Sequence, residues 1–98
     1  NVYSIEVENI LYEHEDILEA AVIGVPDPHW GEAVKAFVVL KDGCKATEDE
    51  IISFCKKDLA HYKAPKSVCF LKALPKTGSG KIYKKGLREH YSEEYSER

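Results

Sequence analysis

The sequence predicts an α+β domain: a small, mainly antiparallel sheet of three strands, with room for a further short two-stranded hairpin, covered by helices. Three observations predict it. Two runs rich in apolar and β-branched residues, ILEAAVIGV (17–25) and VKAFVVL (34–40), lie close together in the chain. An apolar set at helical spacing precedes them, and a helix-start motif, TEDE (47–50), follows them. The 98 residues make one domain with one modest core, and an apolar content of 44% is ordinary for a globular chain.

Ser4 is placed to cap the first helix, with Glu6 and Glu8 near its positive end. Val7, Ile10, Leu11 and His14 then fall on one face, and His14 reads as a helix-end histidine with no ligand role. Ile17 to Val25 is a buried strand, stopped by Pro26-Asp27-Pro28 because proline cannot continue a ladder. PDPHWGE (26–32) is then a loop carrying the single tryptophan, Trp30, which either packs back onto its own domain or stacks on a ligand. Val34 to Leu40 alternates as a second strand. A seven-residue connection is too short for a parallel crossover, so the pair is antiparallel.

Lys41-Asp42-Gly43 is a turn. Thr47 to Glu50 form a capping box for a helix whose apolar face is Ile51, Ile52, Cys55 and Leu59. Lys56 and Lys57 lie near its C-terminal end, where the dipole favours cations. HYKAPK (61–66) is a loop, SVCFL (67–71) a third strand, and about 83–93 a last helix, weakened by roughly 1 kcal/mol at Gly86. The polar tail YSEEYSER is expected to fray.

The net charge of −3 hides a strong segregation. Residues 1–34 hold eight acids and no Lys or Arg, whereas residues 56–88 hold ten bases and one acid. The basic block is either a solvated face or a surface for a polyanion such as a nucleotide or coenzyme A. Nucleic acid ranks last, because only one of the ten bases is Arg. Cys44, Cys55 and Cys69 are odd in number, lack metal-type spacing and read as buried or half-buried thiols, so no metal site is expected. Unpaired cysteines suggest a reducing compartment. No apolar run approaches the roughly 18–20 residues of a membrane span, and no signal peptide is visible. The absence of any methionine suggests a piece of a longer protein.

The stretch LPKTGSGKIYKKGLR (74–88) carries the most chemistry. A proline entry, a glycine-rich tip at Thr77, Gly78, Ser79 and Gly80, and Lys81 at its end form a device for bringing a charge to a phosphate. The stretch departs from a Walker loop: Pro75 replaces its first glycine, and Ile82 stands where a magnesium-binding hydroxyl is required. On the pattern alone a plain surface turn is the competing reading.

Taken in order, NVYSIEVENILYEH, EAAVIGVPDPHWGEAVKAFVVL, HYKAPKSV and LPKTGSGKI resemble the C-terminal domain of adenylate-forming (AMP-binding) enzymes, over essentially the whole chain. The loops PDPHWGE and HYKAPK are most similar to the acyl- and aryl-CoA synthetase branch. The resemblance implies a two-step reaction. A carboxylate attacks the α-phosphate of ATP to give an acyl-adenylate and pyrophosphate, and the thiol of coenzyme A then displaces AMP.

It implies that residues 1–98 are the mobile lid of such an ATP-dependent ligase, inactive alone. The absent N-terminal domain would bind ATP, the acyl group and most of the Mg2+. Lys81 matches the adenylation lysine, which stabilises charge as it builds on carboxylate and phosphate oxygens. Thr77 to Gly80 would let the backbone approach the nucleotide, and without it that tip is expected to be mobile. Trp30 and Tyr62 would lie against coenzyme A, and Lys56, Lys63 and Lys66 would meet its phosphates. A cytoplasmic place in fatty acid metabolism is the corresponding expectation. Two alternatives carry different tests: a carrier-protein phosphopantetheine thiol as acceptor, and a non-catalytic module that binds a partner through its basic face.

Overall fold

The computed structural model describes residues 2–27, 31–60 and 63–89. In chain order the elements are α1 (Val2–Tyr12), β1 (Ile17–Asp27), β2 (Gly31–Leu40), α2 (Glu48–Lys56), β3 (Ser67–Phe70) and α3, helical over residues 84–89. The strand order is β1-β2-β3. β1 and β2 form a long antiparallel pair, from Ile17 opposite Leu40 to Asp27 opposite Gly31. β3 runs parallel to β2, from Lys35 opposite Ser67 to Val38 opposite Phe70. The chain between β2 and β3 contains α2, as a parallel crossover requires.

The sheet is buried on both faces. One face packs β1 residues Ile17, Ala20 and Val22, β2 residues Val34, Ala36 and Val38, and Val68 of β3 against Val7 and Leu11 of α1 and Ile51 and Cys55 of α2. The other packs Ala21, Ile23, Val25, Ala33, Phe37 and Val39 against Leu74 and Leu87. Burial on both faces explains why β1 and β2 read as nearly continuous apolar runs. A register shift between Ile17 and Glu19 adds one residue to β1. That bulge brings odd-numbered Ile17 onto the same face as even-numbered Ala20 and Val22.

Two expectations about ends are corrected. α1 starts at Val2, so Ser4 is a buried residue within the helix, not its cap. Nor does Pro26 stop β1, which continues through Pro26 and Asp27, and Pro26 pairs with Glu32. The cause lies in the parity of the ladder. The Ala20 and Val22 amides point away from β2: each donates to a side chain of α1, Ala20 to the Tyr12 hydroxyl at 3.0 Å and Val22 to Glu8 Oε2 at 2.8 Å. Pro26 shares that outward parity on an edge strand, so its missing N–H costs no ladder bond. The 26–32 loop thereby shrinks to a connection whose residues 28–30 lie outside the described set.

The predicted cap of α2 is present. Thr47 Oγ1 accepts from the Glu50 amide at 3.2 Å, and its hydroxyl donates to the Glu50 carboxylate at 3.2 Å. Ile51, Cys55 and Leu59 are buried and Ile52 is partly so, although the helix proper ends at Lys56. Glu48, the first helical residue, accepts from the Val68 amide at 2.7 Å and so joins α2 to β3. The described part of the last helix begins within one residue of its predicted start, and the expected tail lies outside the described residues.

Candidate active-site loop

The stretch from Leu71 to α3 covers the second face of the sheet, and four apolar side chains hold it there: Leu71, Leu74, Ile82 and Leu87. Between Leu74 and Leu87 the chain folds into a narrow hairpin. Lys76 and Ile82 form an antiparallel bridge, and the Tyr83 amide donates to the Pro75 carbonyl at 2.8 Å. Gly86 allows α3 to pack onto the base of this hairpin. A Cβ at that position would lie 3.3 Å from Pro75 Cβ and 3.0 Å from Tyr83 Cδ2. The helix propensity that glycine forfeits is exchanged here for close approach.

The tip is a hydrogen-bonded turn. The Thr77 amide donates to the Lys81 carbonyl at 2.8 Å, and the Gly80 amide to the Thr77 carbonyl at 2.9 Å. Thr77 Oγ1 accepts from the Lys81 amide at 3.3 Å and lies 3.0 Å from Ser79 Oγ. Gly80 has φ +87°, in the left-handed region that glycine reaches without strain. The amides of Thr77, Gly80 and Lys81 are thus committed to the loop itself. A P-loop, by contrast, turns its amides toward phosphate. This loop offers an ammonium group: Lys81 is exposed and makes no ion pair or side-chain hydrogen bond with the described residues.

Its lysine neighbours differ. Lys76 Nζ lies 2.6 Å from Glu19 of β1, and Lys84 Nζ 2.9 Å from Glu8 of α1. Sequence reasoning missed both acidic partners. They lie 57 and 76 residues from the lysines they meet, and no local spacing reports such a pair.

The residues expected to meet coenzyme A fall elsewhere. Lys56 is the last residue of α2 and is exposed. Lys66 is exposed, and its backbone amide donates to the Val34 carbonyl at 2.8 Å, which fixes the start of β3. Lys63 is committed to an ion pair with Glu6 of α1 at 3.2 Å, a contact the sequence did not suggest. All three lie on the segment leading from α2 into β3, whereas Lys81 rises from the cover of the opposite sheet face. Trp30 and Tyr62 lie outside the described residues. Cys55 is fully buried, and burial pushes its thiol up to about 11, so it is a packing group. Among the described residues no cluster of His, Cys, Asp and Glu could hold a metal ion, and no helix is long and apolar enough to cross a membrane.

The family profile described as AMP-binding enzyme C-terminal domain matches residues 6–81, ending on the exposed lysine of this loop. The chain belongs to that family. Among curated relatives it is 53% identical over 95 residues to a long-chain-fatty-acid–CoA ligase of Bacillus subtilis, covering 97% of this chain and 17% of that protein. It is 50% identical over 91 residues to a feruloyl-CoA synthase of Amycolatopsis, covering 93% of this chain and 18% of the relative. Among solved structures, apo MatB from Rhodopseudomonas palustris matches with a TM-score of 0.89 and 39% identity, over 97% of this chain and 19% of that one. The chain therefore spans less than a fifth of the length of these proteins. Its α+β fold and its membership of the AMP-binding enzyme C-terminal family agree with the expectations from sequence.

Proposed function

We propose that residues 1–98 act as the C-terminal lid of an ATP-dependent acyl- or aryl-CoA synthetase, with Lys81 as its adenylation lysine. The observation that carries this reading is an exposed ammonium, unpaired among the described residues, on a turn whose Thr77, Gly80 and Lys81 amides are already satisfied within the loop. Such a group can enter a neighbouring domain's site without reorganising the loop that presents it. Lys81 bridges carboxylate and α-phosphate oxygens while the carboxylate attacks and pyrophosphate departs. A fixed cation in a closed site favours that build-up of negative charge. Lys56, Lys63 and Lys66, with Trp30 and Tyr62, serve the second step, in which the coenzyme A thiol displaces AMP. Lys63 leaves Glu6 to do so; an exposed pair of this kind is worth about 0–1 kcal/mol, so the exchange costs little.

The separation of the two lysine groups on opposite sides of the sheet supports a rotation of the domain between steps. In this reading the N-terminal domain holds most of the Mg2+ that accompanies ATP. The reading places the enzyme in the cytoplasm. Lys81→Ala in the full-length protein should abolish acid-dependent exchange of pyrophosphate into ATP, while thioester formation from a supplied acyl-adenylate largely survives. Equal loss of both half-reactions would remove the division of labour. Assays with free coenzyme A against a carrier protein identify the acceptor thiol.

A further inference from the structure

The Lys81 hairpin is closed by its own hydrogen bonds, but its orientation on the domain depends on what grips its base. Apolar contacts from Leu74, Ile82 and Leu87 hold it down on the sheet. They are non-directional and do little to fix its tilt. Among the described residues, its directional contacts with α1 and β1 are two ion pairs, one on each side of the tip. Lys76, on the incoming strand of the hairpin, meets Glu19 of β1. Lys84, where the outgoing strand becomes α3, meets Glu8 of α1. Both acids are themselves fixed. Glu19 lies on the β1 ladder opposite Val39, and Glu8 Oε2 also accepts from the Val22 amide at 2.8 Å. Their side chains are only 25% and 19% exposed, which shields the pairs from solvent screening more than open surface pairs.

We propose that Glu8 and Glu19 are positioning residues for the adenylation half-reaction. They hold the two sides of the hairpin against the β1 edge, so that Lys81 enters the nucleotide site at a fixed angle. They also neutralise the lysines that flank it, which leaves Lys81 as the cation presented at this tip. Neither acid touches substrate; each acts through a lysine of the loop. This inference rests on the assignment of Lys81 above.

The test uses the full-length enzyme and both half-reactions. Glu8→Gln keeps an acceptor for the Val22 amide while removing the charge, and Glu19→Gln removes the charge facing Lys76. The double variant should slow pyrophosphate exchange about tenfold, chiefly in kcat, because small misplacements of a reacting group are costly. Thioester formation from supplied acyl-adenylate should stay within about twofold of the parent, and the melting temperature should barely move, as partly exposed pairs contribute little to stability. The swap Glu19→Lys with Lys76→Glu should recover most of the loss seen in Glu19→Lys alone. An unchanged exchange rate, or equal slowing of both half-reactions, overturns the positioning role. Lys81→Ala run beside them separates the two levels. If it leaves exchange intact, the assignment of Lys81 fails; if it abolishes exchange while the glutamate variants are silent, only the positioning role fails.

Discussion

The two faces of the sheet are covered by different kinds of chain. α1 and α2 close the first face with helices whose apolar positions recur at helical spacing, and their ends are tied to the strands by Tyr12, Glu8 and Glu48. The second face is closed mainly by a turn-rich segment and the short described part of α3, held by Leu74, Ile82 and Leu87. The first is a scaffold built from repeated local rules. The second gives up regular structure in order to carry a loop away from the surface. The candidate adenylation lysine sits on the less regular side, where an insertion between two apolar anchors can change without disturbing a helix.

The largest effect should come from the residue that serves the whole sheet. Phe37 is fully buried on the second face but belongs to the central strand. Phe37→Ala should cost about 3–5 kcal/mol. Urea unfolding followed by circular dichroism should show α1 and α2 lost together with the second face, and a separate, earlier transition for that face would break the picture of one cooperative sheet.

Leu87→Ala should sharpen the contrast. It removes one anchor of the cover at a cost of about 2–3 kcal/mol, near the low end for such truncations. Hydrogen exchange should accelerate at the Thr77, Gly80 and Tyr83 amides while the amides of β2 keep most of their protection. Gly80→Ala places a side chain at φ +87° and should cost about 1–2 kcal/mol of loop order, read as slower pyrophosphate exchange in the full-length enzyme. Thr47→Ala acts only on the scaffold side. It should lower stability by about 1 kcal/mol and leave both half-reactions at parental rates.

What was legible in the sequence followed the same division. The Thr47–Glu50 cap, the apolar face of α2 and the division of β2 side chains between two faces are set by neighbours a few residues apart, and the structure reproduces them. Pro26 was misread because a proline's effect on a ladder depends on which way its nitrogen points. That direction is fixed by the bulge near Ile17 and by the partner strand, not by Pro26 itself. Ser4 looked like a cap because its hydroxyl suits that role, yet the helix starts two residues earlier. The ion pairs of Lys63, Lys76 and Lys84 join distant parts of the chain, so the charge segregation visible in the sequence could not show which acids and bases meet. The loop motif singled out Lys81 as a candidate, but only the hydrogen bonds of the turn revealed that the Thr77, Gly80 and Lys81 amides are committed inward.

The side chains along the outer margins of the sheet have a consequence for a body that is to travel. Tyr12 both donates to the Ala20 carbonyl, at 3.1 Å, and accepts from its amide; Glu8 takes the Val22 amide, and Glu48 takes Val68 on the far margin. An open strand margin is a template on which a second chain can polymerise. With these groups occupied by the domain's own side chains, and Pro26 offering no donor at all, a foreign strand finds fewer open positions while the swinging domain of the proposed cycle moves from one docking position to another.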